Sequence, residues 1–254
     1  MITVTSGSDT RVRDLVRPVR FTDDVEAVAR FLEVVGLGRE SEADGGGWVV
    51  LSAGRGAVAV HSASSSDLGA AAGETHLSFV SAGLDALVAD LRGTGLDVTP
   101  YDEAWGRALV VPAPDGHEIQ VDTDSGESYG YHQRAGSPDD RTTVRPVWYL
   151  PLELRDDART LLGAFGLAPR PGEDEWWAAC EGPGGAVGLH RPTDDSPVCE
   201  LGLETSEPLA DVAARLVAAG HPAEVGHAEG VGEVLRVTDP DGRELEIHPA
   251  PPVP

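Results

Sequence analysis

The 254-residue sequence contains no lysine; all 19 of its basic residues are arginine. This excludes chemistry that needs a lysine amine, including Schiff-base catalysis and a Walker-type phosphate loop. Cysteine is nearly absent as well, with only Cys180 and Cys199. Neither belongs to a CxxC pair, so two buried thiols in a reducing compartment are expected, with no thiol-metal or redox site. No apolar run approaches the ~18 residues of a membrane span. Residues 1–13 lack the apolar stretch of a secretory signal, which makes the cytoplasm the expected location. Serine-nucleophile, HExxH and glycine-rich phosphate motifs are missing too. Basic charge is outnumbered, 43 acidic residues giving a net charge of −24. Such a chain repels nucleic acid and anionic membranes and attracts cationic small molecules.

What the sequence does contain is a repeat. Val16-Arg17-Pro18-Val19 returns as Val144-Arg145-Pro146-Val147, 128 residues later. Gly56-Ala57-Val58-Ala59-Val60-His61 returns as Gly185-Ala186-Val187-Gly188-Leu189-His190, an offset of 129. Pro114-Asp115-Gly116 returns as Pro240-Asp241-Gly242, an offset of 126. Three matches in order at nearly constant spacing predict duplicated domains over 14–124 and 142–249. The stretch between them, 125–141, is polar and rich in Ser, Gly and Asp, as a linker is.

Each half carries a smaller pattern twice. A β-like run at Val16–Phe21 precedes a helical stripe, Val25, Val28, Ala29 and Leu32, with Asp23 or Asp24 placed to cap it and Gly36 to end it. Strand-like runs follow near Arg39–Glu42, Trp48–Ala53 and Ala57–Ser62. The unit starts again at His76–Val80, with the stripe Leu84, Leu87, Val88 and Leu91, then strands near Asp97–Tyr101, Ala108–Val111 and Glu118–Asp122. The second half repeats the order from Val144–Tyr149, with stripes at Ala158, Leu161, Leu162, Phe165 and at Leu209, Val212, Ala213, Leu216 after Ser206 and Pro208. The predicted class is α+β: two tandem domains, each of paired βαβββ units forming a curved mixed sheet with helices on the outside. Alternation turns Leu77 and Phe79 toward the helices and His76, Ser78 and Val80 toward the concave face. The same counting places Arg20 and Trp148 on the two concave faces.

The paired βαβββ units resemble those of the vicinal oxygen chelate superfamily of glyoxalases, bleomycin-resistance proteins and extradiol dioxygenases. So do Asp23 … Gly36-Leu37, the strand opening His76-Leu77-Ser78-Phe79, and two strand endings. Those endings are Pro114-Asp115-Gly116-His117-Glu118-Ile119-Gln120-Val121 and Asp239-Pro240-Asp241-Gly242-Arg243-Glu244-Leu245-Glu246-Ile247. The resemblance implies metal ligands on the first, fourth, fifth and eighth strands of a domain. Carried over by position, these are Val16, Ala59, His76 and Gln120 in the first half, and Pro146, Gly188, Glu200 and Glu246 in the second. Two of each four can bind a metal, whereas Zn²⁺, Fe²⁺ or Ni²⁺ sites use three or four ligands. The expected function is therefore binding of a small molecule in the concave sheets without metal chemistry and without a cofactor, by a monomer or homodimer. The alternatives are a metal-dependent lyase, isomerase or dioxygenase using His76, Gln120, Glu200 or Glu246, and an interaction module with no ligand. Candidate ligand-binding residues are Arg20, His76, Gln120, Trp148, Glu200, Glu204, Glu244 and Glu246. The second concavity, with four glutamates and Trp148, suits a cationic aromatic ligand; the first, with Arg20, His76 and Gln120, suits a neutral or anionic group. His61 and His190 read as fold-supporting, and His221, His227 and His248 as surface residues. One of Trp176 and Trp177 must face away from the core, and Trp105 sits in a glycine-flanked loop.

Overall fold

A computed structural model describes residues 14–103, 106–123, 130–228 and 230–251. Four βαβββ units follow one another. The first has strand Val19–Thr22, helix α1 (Val25–Val35) and strands Gly38–Ala43, Trp48–Ser52 and Ala57–Ser62. The second has Ser78–Ser81, α2 (Leu84–Gly93), Tyr101–Glu103, Gly106–Pro112 and Glu118–Thr123. The third has Val147–Tyr149, α3 (Arg155–Ala164), Ala168–Pro169, Trp177–Gly182 and Gly185–His190. The fourth has Gly202–Thr205, α4 (Leu209–Ala218), Ala223–Ala228, Gly232–Thr238 and Glu244–Pro249. The fold is α+β, with the helices on one side of mixed sheets. The stripes read from the sequence are the buried helix faces, and the Asp24 side chain caps α1 by accepting from the Ala27 amide.

Neighbouring units join where a strand changes sheet. Leu15–Val16 pairs with Ser78–Ser81 of unit two, whereas Val19–Thr22, two residues on, pairs in parallel with Ala57–Ser62 of its own unit. Pro18 lies in the gap, where its missing N–H breaks no ladder. The second half repeats the device. Thr142–Val144 pairs with Gly202–Thr205, and Val147–Tyr149 pairs with Gly185–His190 across Pro146. Each unit thus builds a sheet of its own, four in all among the described residues, and the strand that changes sheet ties unit one to unit two and unit three to unit four. The expected strand at Asp97–Tyr101 begins only at Tyr101. The expected linker is not all loop: Tyr131–Gln133 adds an edge strand beside Ser41–Ala43. Trp105 lies outside the described residues.

The two larger cores do not follow the sequence halves. One apolar cluster joins units two and three, packing Phe79, Leu91, Ile119 and Val121 with Trp148, Leu162, Phe165 and Leu189; the Phe79 and Phe165 rings stack at 4.0 Å. A second joins units one and four, packing Phe31, Leu32 and Leu51 with Leu203, Leu216 and Ile247. Helix stripes α1 and α4, and α2 and α3, are what each sheet buries on its outer side. The halves also exchange backbone bonds. The Val16 amide donates to the Gly184 carbonyl at 3.0 Å, and the Val144 amide to the Arg55 carbonyl at 2.8 Å. Each valine sits on a glycine of the other half. A Cβ on Gly56 (φ +85°) would lie 2.8 Å from Val144 Cβ, and one on Gly185 (φ +130°) would lie 2.9 Å from Val16 Cβ.

Gly56→Ala should therefore destabilise the protein by about 2–4 kcal/mol, combining a left-handed backbone with overpacking. Gly46→Ala, at φ +73° in open space, should cost only about 1–2 kcal/mol. Urea unfolding of both variants measures the difference; equal losses would remove the steric role given to Val144.

Candidate functional site

On the sheet faces turned away from the helices, each half brings together one arginine and three rings. In the first half the Arg17 guanidinium lies over Trp48, 5.5 Å from the ring centre, and ion-pairs with Asp122 of unit two. Phe21, Trp48 and His61 pack edge to face at 5.2–5.5 Å. In the second half the Arg145 guanidinium lies 4.7 Å above Trp177, and Tyr149 and His190 complete the ring set at 5.4 Å. These contacts cross from unit to unit, Arg17 reaching Asp122 and Arg145 reaching Glu204 at 3.3 Å. Each inner face is therefore walled by two units.

Solved structures place this arrangement. A catechol 2,3-dioxygenase superposes with TM-score 0.59 at 12% identity, over 96% of this chain and 94% of that one. A 2,3-dioxygenase from Pseudomonas sp. KL28 gives 0.60 at 14%, over 95% and 93%. A Mn(II)-bound glyoxalase from Novosphingobium aromaticivorans gives 0.59 at 14%, over 95% and 89%. The chain has the vicinal oxygen chelate fold. No protein-family model matches the sequence, and no curated protein does.

The structure corrects the phase of the first strand in both halves. Val19 pairs with Ala59 and His76, and Val147 with Gly188 and Glu200, so the first-strand positions facing the concavity are Val19 and Val147 rather than Val16 and Pro146. Val16 lies on the helix side, wholly buried. Arg20 and Trp148 turn outward with it and line neither concavity. Arg20 is buried between the halves, ion-paired with Asp239 and Asp241 and donating to the Gly73 carbonyl at 2.7 Å. Trp148 is fully buried at the equivalent place and donates its indole N–H to Asp115 at 2.8 Å. Burial pushes the Asp115 carboxyl up, but hydrogen bonds from His117 and Trp148 outweigh it and hold the group below the usual range. A straight strand buried on both faces carries no sequence signal of its phase.

The remaining candidates do face inward. His76 packs edge-on to Phe21 at 4.8 Å and lies 3.5 Å from Glu74, while Gln120 bonds to the Tyr101 hydroxyl and Asp122, both at 3.1 Å. Glu204 is buried and gripped by both terminal nitrogens of Arg170, at 2.7 and 3.0 Å. Glu246 accepts from Arg236 at 2.9 Å and lies 3.1 Å from His248 Nε2. Exposed Glu200 accepts the Tyr149 hydroxyl at 2.7 Å, and Glu244 stands at the rim, 3.4 Å from Arg236. The second concavity is therefore not a free cluster of carboxylates, and with Trp148 absent from it the basis for a cationic aromatic ligand is gone. His248, expected at the surface, is a half-buried partner of Glu246. Trp176 is the outward tryptophan of its pair.

The residues of neither half fit the metal that the fold implies. The four corrected positions offer only His76 and Gln120, or Glu200 and Glu246. Among the described residues no group of three or more His, Cys, Asp and Glu side chains converges as a metal site. At Gly188 the space for a side chain is filled: a Cβ there would lie 2.3 Å from the Trp177 ring. Above that ring sits a permanent cation, Arg145. The sequence marks Arg17 and Arg145 as neighbours of the first-strand ligand positions that are not metal ligands themselves, but does not assign them to the inner faces; the recurrence of one charged residue inside an apolar strand is the signal that could have done so.

Hydrogen bonding to His248, then to Arg236, holds the Glu246 carboxyl down at about 2, against the cost of burial. A depressed carboxyl contributes stability above its unfolded pKa of about 4.3. That contribution fades as pH falls toward about 2. Glu246→Gln should therefore destabilise by no more than about 1 kcal/mol after solvent screening. The gap from wild type should be constant above pH ~5 and closed near pH ~2. Denaturation across that range tests it; a gap that widens on acidification would contradict the assignment.

Proposed function

We propose that the protein binds a small molecule in the concave faces of its sheets and does so without a resident metal. The observation that carries this reading is the stack at the centre of the second concavity: Gly188, the Trp177 ring and the Arg145 guanidinium, one upon another. A ring and a cation occupy the ground where metal ligands of this fold would extend. The equivalent stack of Arg17 on Trp48 supports the same reading in the first half. There Val19, Phe21, Val50, Ala59 and Ala70 form an apolar floor, suited to the hydrocarbon part of a ligand. The two concavities have diverged at their polar positions, His76 against Glu200 and Gln120 against Glu246, as expected if they hold different groups.

A second reading keeps catalysis. Several structurally similar proteins are dioxygenases and one is a Mn(II)-bound glyoxalase, and Glu200 and Glu246 stand at ligand positions of the second half. Two carboxylates, each engaged by a neighbouring side chain, fall short of the three or four ligands of a tight site. Loss of half the ligands removes most of a binding energy on the order of 10 kcal/mol.

Protein purified without chelator should hold far less than one equivalent of Zn, Mn, Fe or Ni by elemental analysis. About one equivalent, lost on Glu246→Ala, would reverse the choice between the two readings.

A further inference from the structure

The arginine of the second concavity differs from its counterpart in one respect. Arg17 has a carboxylate of its own, Asp122. Arg145 does not. Its nearest carboxylate, Glu204, lies 3.3 Å from Nε but is already held by the two-pronged grip of Arg170. Arg145 is only 5% exposed, and its Nε, like that of Arg17, is buried with no hydrogen-bond partner. Among the described residues, nothing accepts a hydrogen bond from this guanidinium. Burial pulls its pKa down, since a charged group taken from water without an acceptor is destabilised. Glu204 and the neighbouring Glu181 face three arginines, Arg145, Arg170 and Arg55. That part of the concavity therefore carries a surplus positive charge inside a strongly acidic protein.

The rest of the second concavity supplies walls rather than competing anions. Glu246 is occupied by Arg236 and His248, and Glu200 by the Tyr149 hydroxyl. Tyr149, His190 and Trp177 are half-buried and form an aromatic wall, with ring centres 5.4 and 6.0 Å apart.

We propose that the second concavity binds a small aromatic carboxylate, with Arg145 taking the carboxylate and the rings of Tyr149, His190 and Trp177 flanking the hydrocarbon part. This rests on the reading that the concave faces bind small molecules, and it names the class of ligand. A planar guanidinium with free donors matches a carboxylate in a two-bond geometry that no neutral group reproduces. The anion would take up the donors that the protein leaves unused.

Benzoate, benzamide and benzamidine share a ring and differ in charge, so calorimetric titration of the three against wild-type protein separates the possibilities. Benzoate should bind about tenfold or more tightly than benzamide, and benzamidine more weakly still. Arg145→Gln, checked for folding by thermal melt, should weaken benzoate by about tenfold or more, Arg145→Lys by less, and the exposed-helix control Arg30→Gln not at all. The wild-type series stands even if Arg145→Gln does not fold. Equal or tighter binding of benzamidine or benzamide, or an unchanged benzoate affinity in folded Arg145→Gln, would overturn the anion assignment while leaving small-molecule binding intact. Failure of benzoate to bind at millimolar concentration overturns it as well. The metal content of the protein decides the broader reading separately.

Discussion

The first strand of each half is anchored on the other half, and much of the architecture depends on that exchange. Val16 donates its amide to Gly184 and rests on Gly185; Val144 donates to Arg55 and rests on Gly56. These two short strands also bridge their own units, since each leaves one sheet for the next at a proline. The same few residues therefore fix how unit meets unit and how half meets half. The two larger apolar cores follow from this placement, with α1 against α4 and α2 against α3, so that each of these belongs to both halves. A half taken alone would expose the outer helix face that its counterpart covers.

The two halves match in position more faithfully than in chemistry. The hairpin turn with Asp241 meets Arg20, and the equivalent turn with Asp115 meets Trp148. One contact is an ion pair between buried groups and the other a hydrogen bond from an indole. Both satisfy a carboxylate that would otherwise be stranded between the halves, which is the expensive outcome in a low-dielectric interior. The outward side of the first strand thus serves assembly, and its inward side faces the concavity.

On that inward side the arginine of the repeated Val-Arg-Pro-Val segment dominates. In both halves it lies on a tryptophan from the third strand, and in both it reaches across to the next unit. The first half neutralises it with Asp122. The second spends its nearest carboxylate on Arg170 and leaves Arg145 with unused donors. A difference of one partner separates an arginine with a carboxylate of its own from one whose nearest carboxylate is held elsewhere.

The sequence alone determined the repeated segments, the four βαβββ units, their helix stripes and the resemblance of the whole to the vicinal oxygen chelate superfamily. Those features are local periodicities or repeated strings, readable along the chain without knowing what folding brings together. It also determined that His76, Gln120, Glu200 and Glu246 share inner faces, because their strands carry clear apolar alternation toward the helices. Only the tertiary structure decided the phase of Val16–Phe21 and Val144–Tyr149, which are apolar on both sides and so are silent about orientation. Arg20 and Trp148 consequently changed roles from ligand contacts to assembly contacts. Pairing was equally invisible: nothing near Glu204 in the chain announces Arg170 or Arg145, 34 and 59 residues away. Whether a buried charge is spent or free depends on what folding brings beside it, and that decided which of two equivalent arginines was left without a carboxylate of its own.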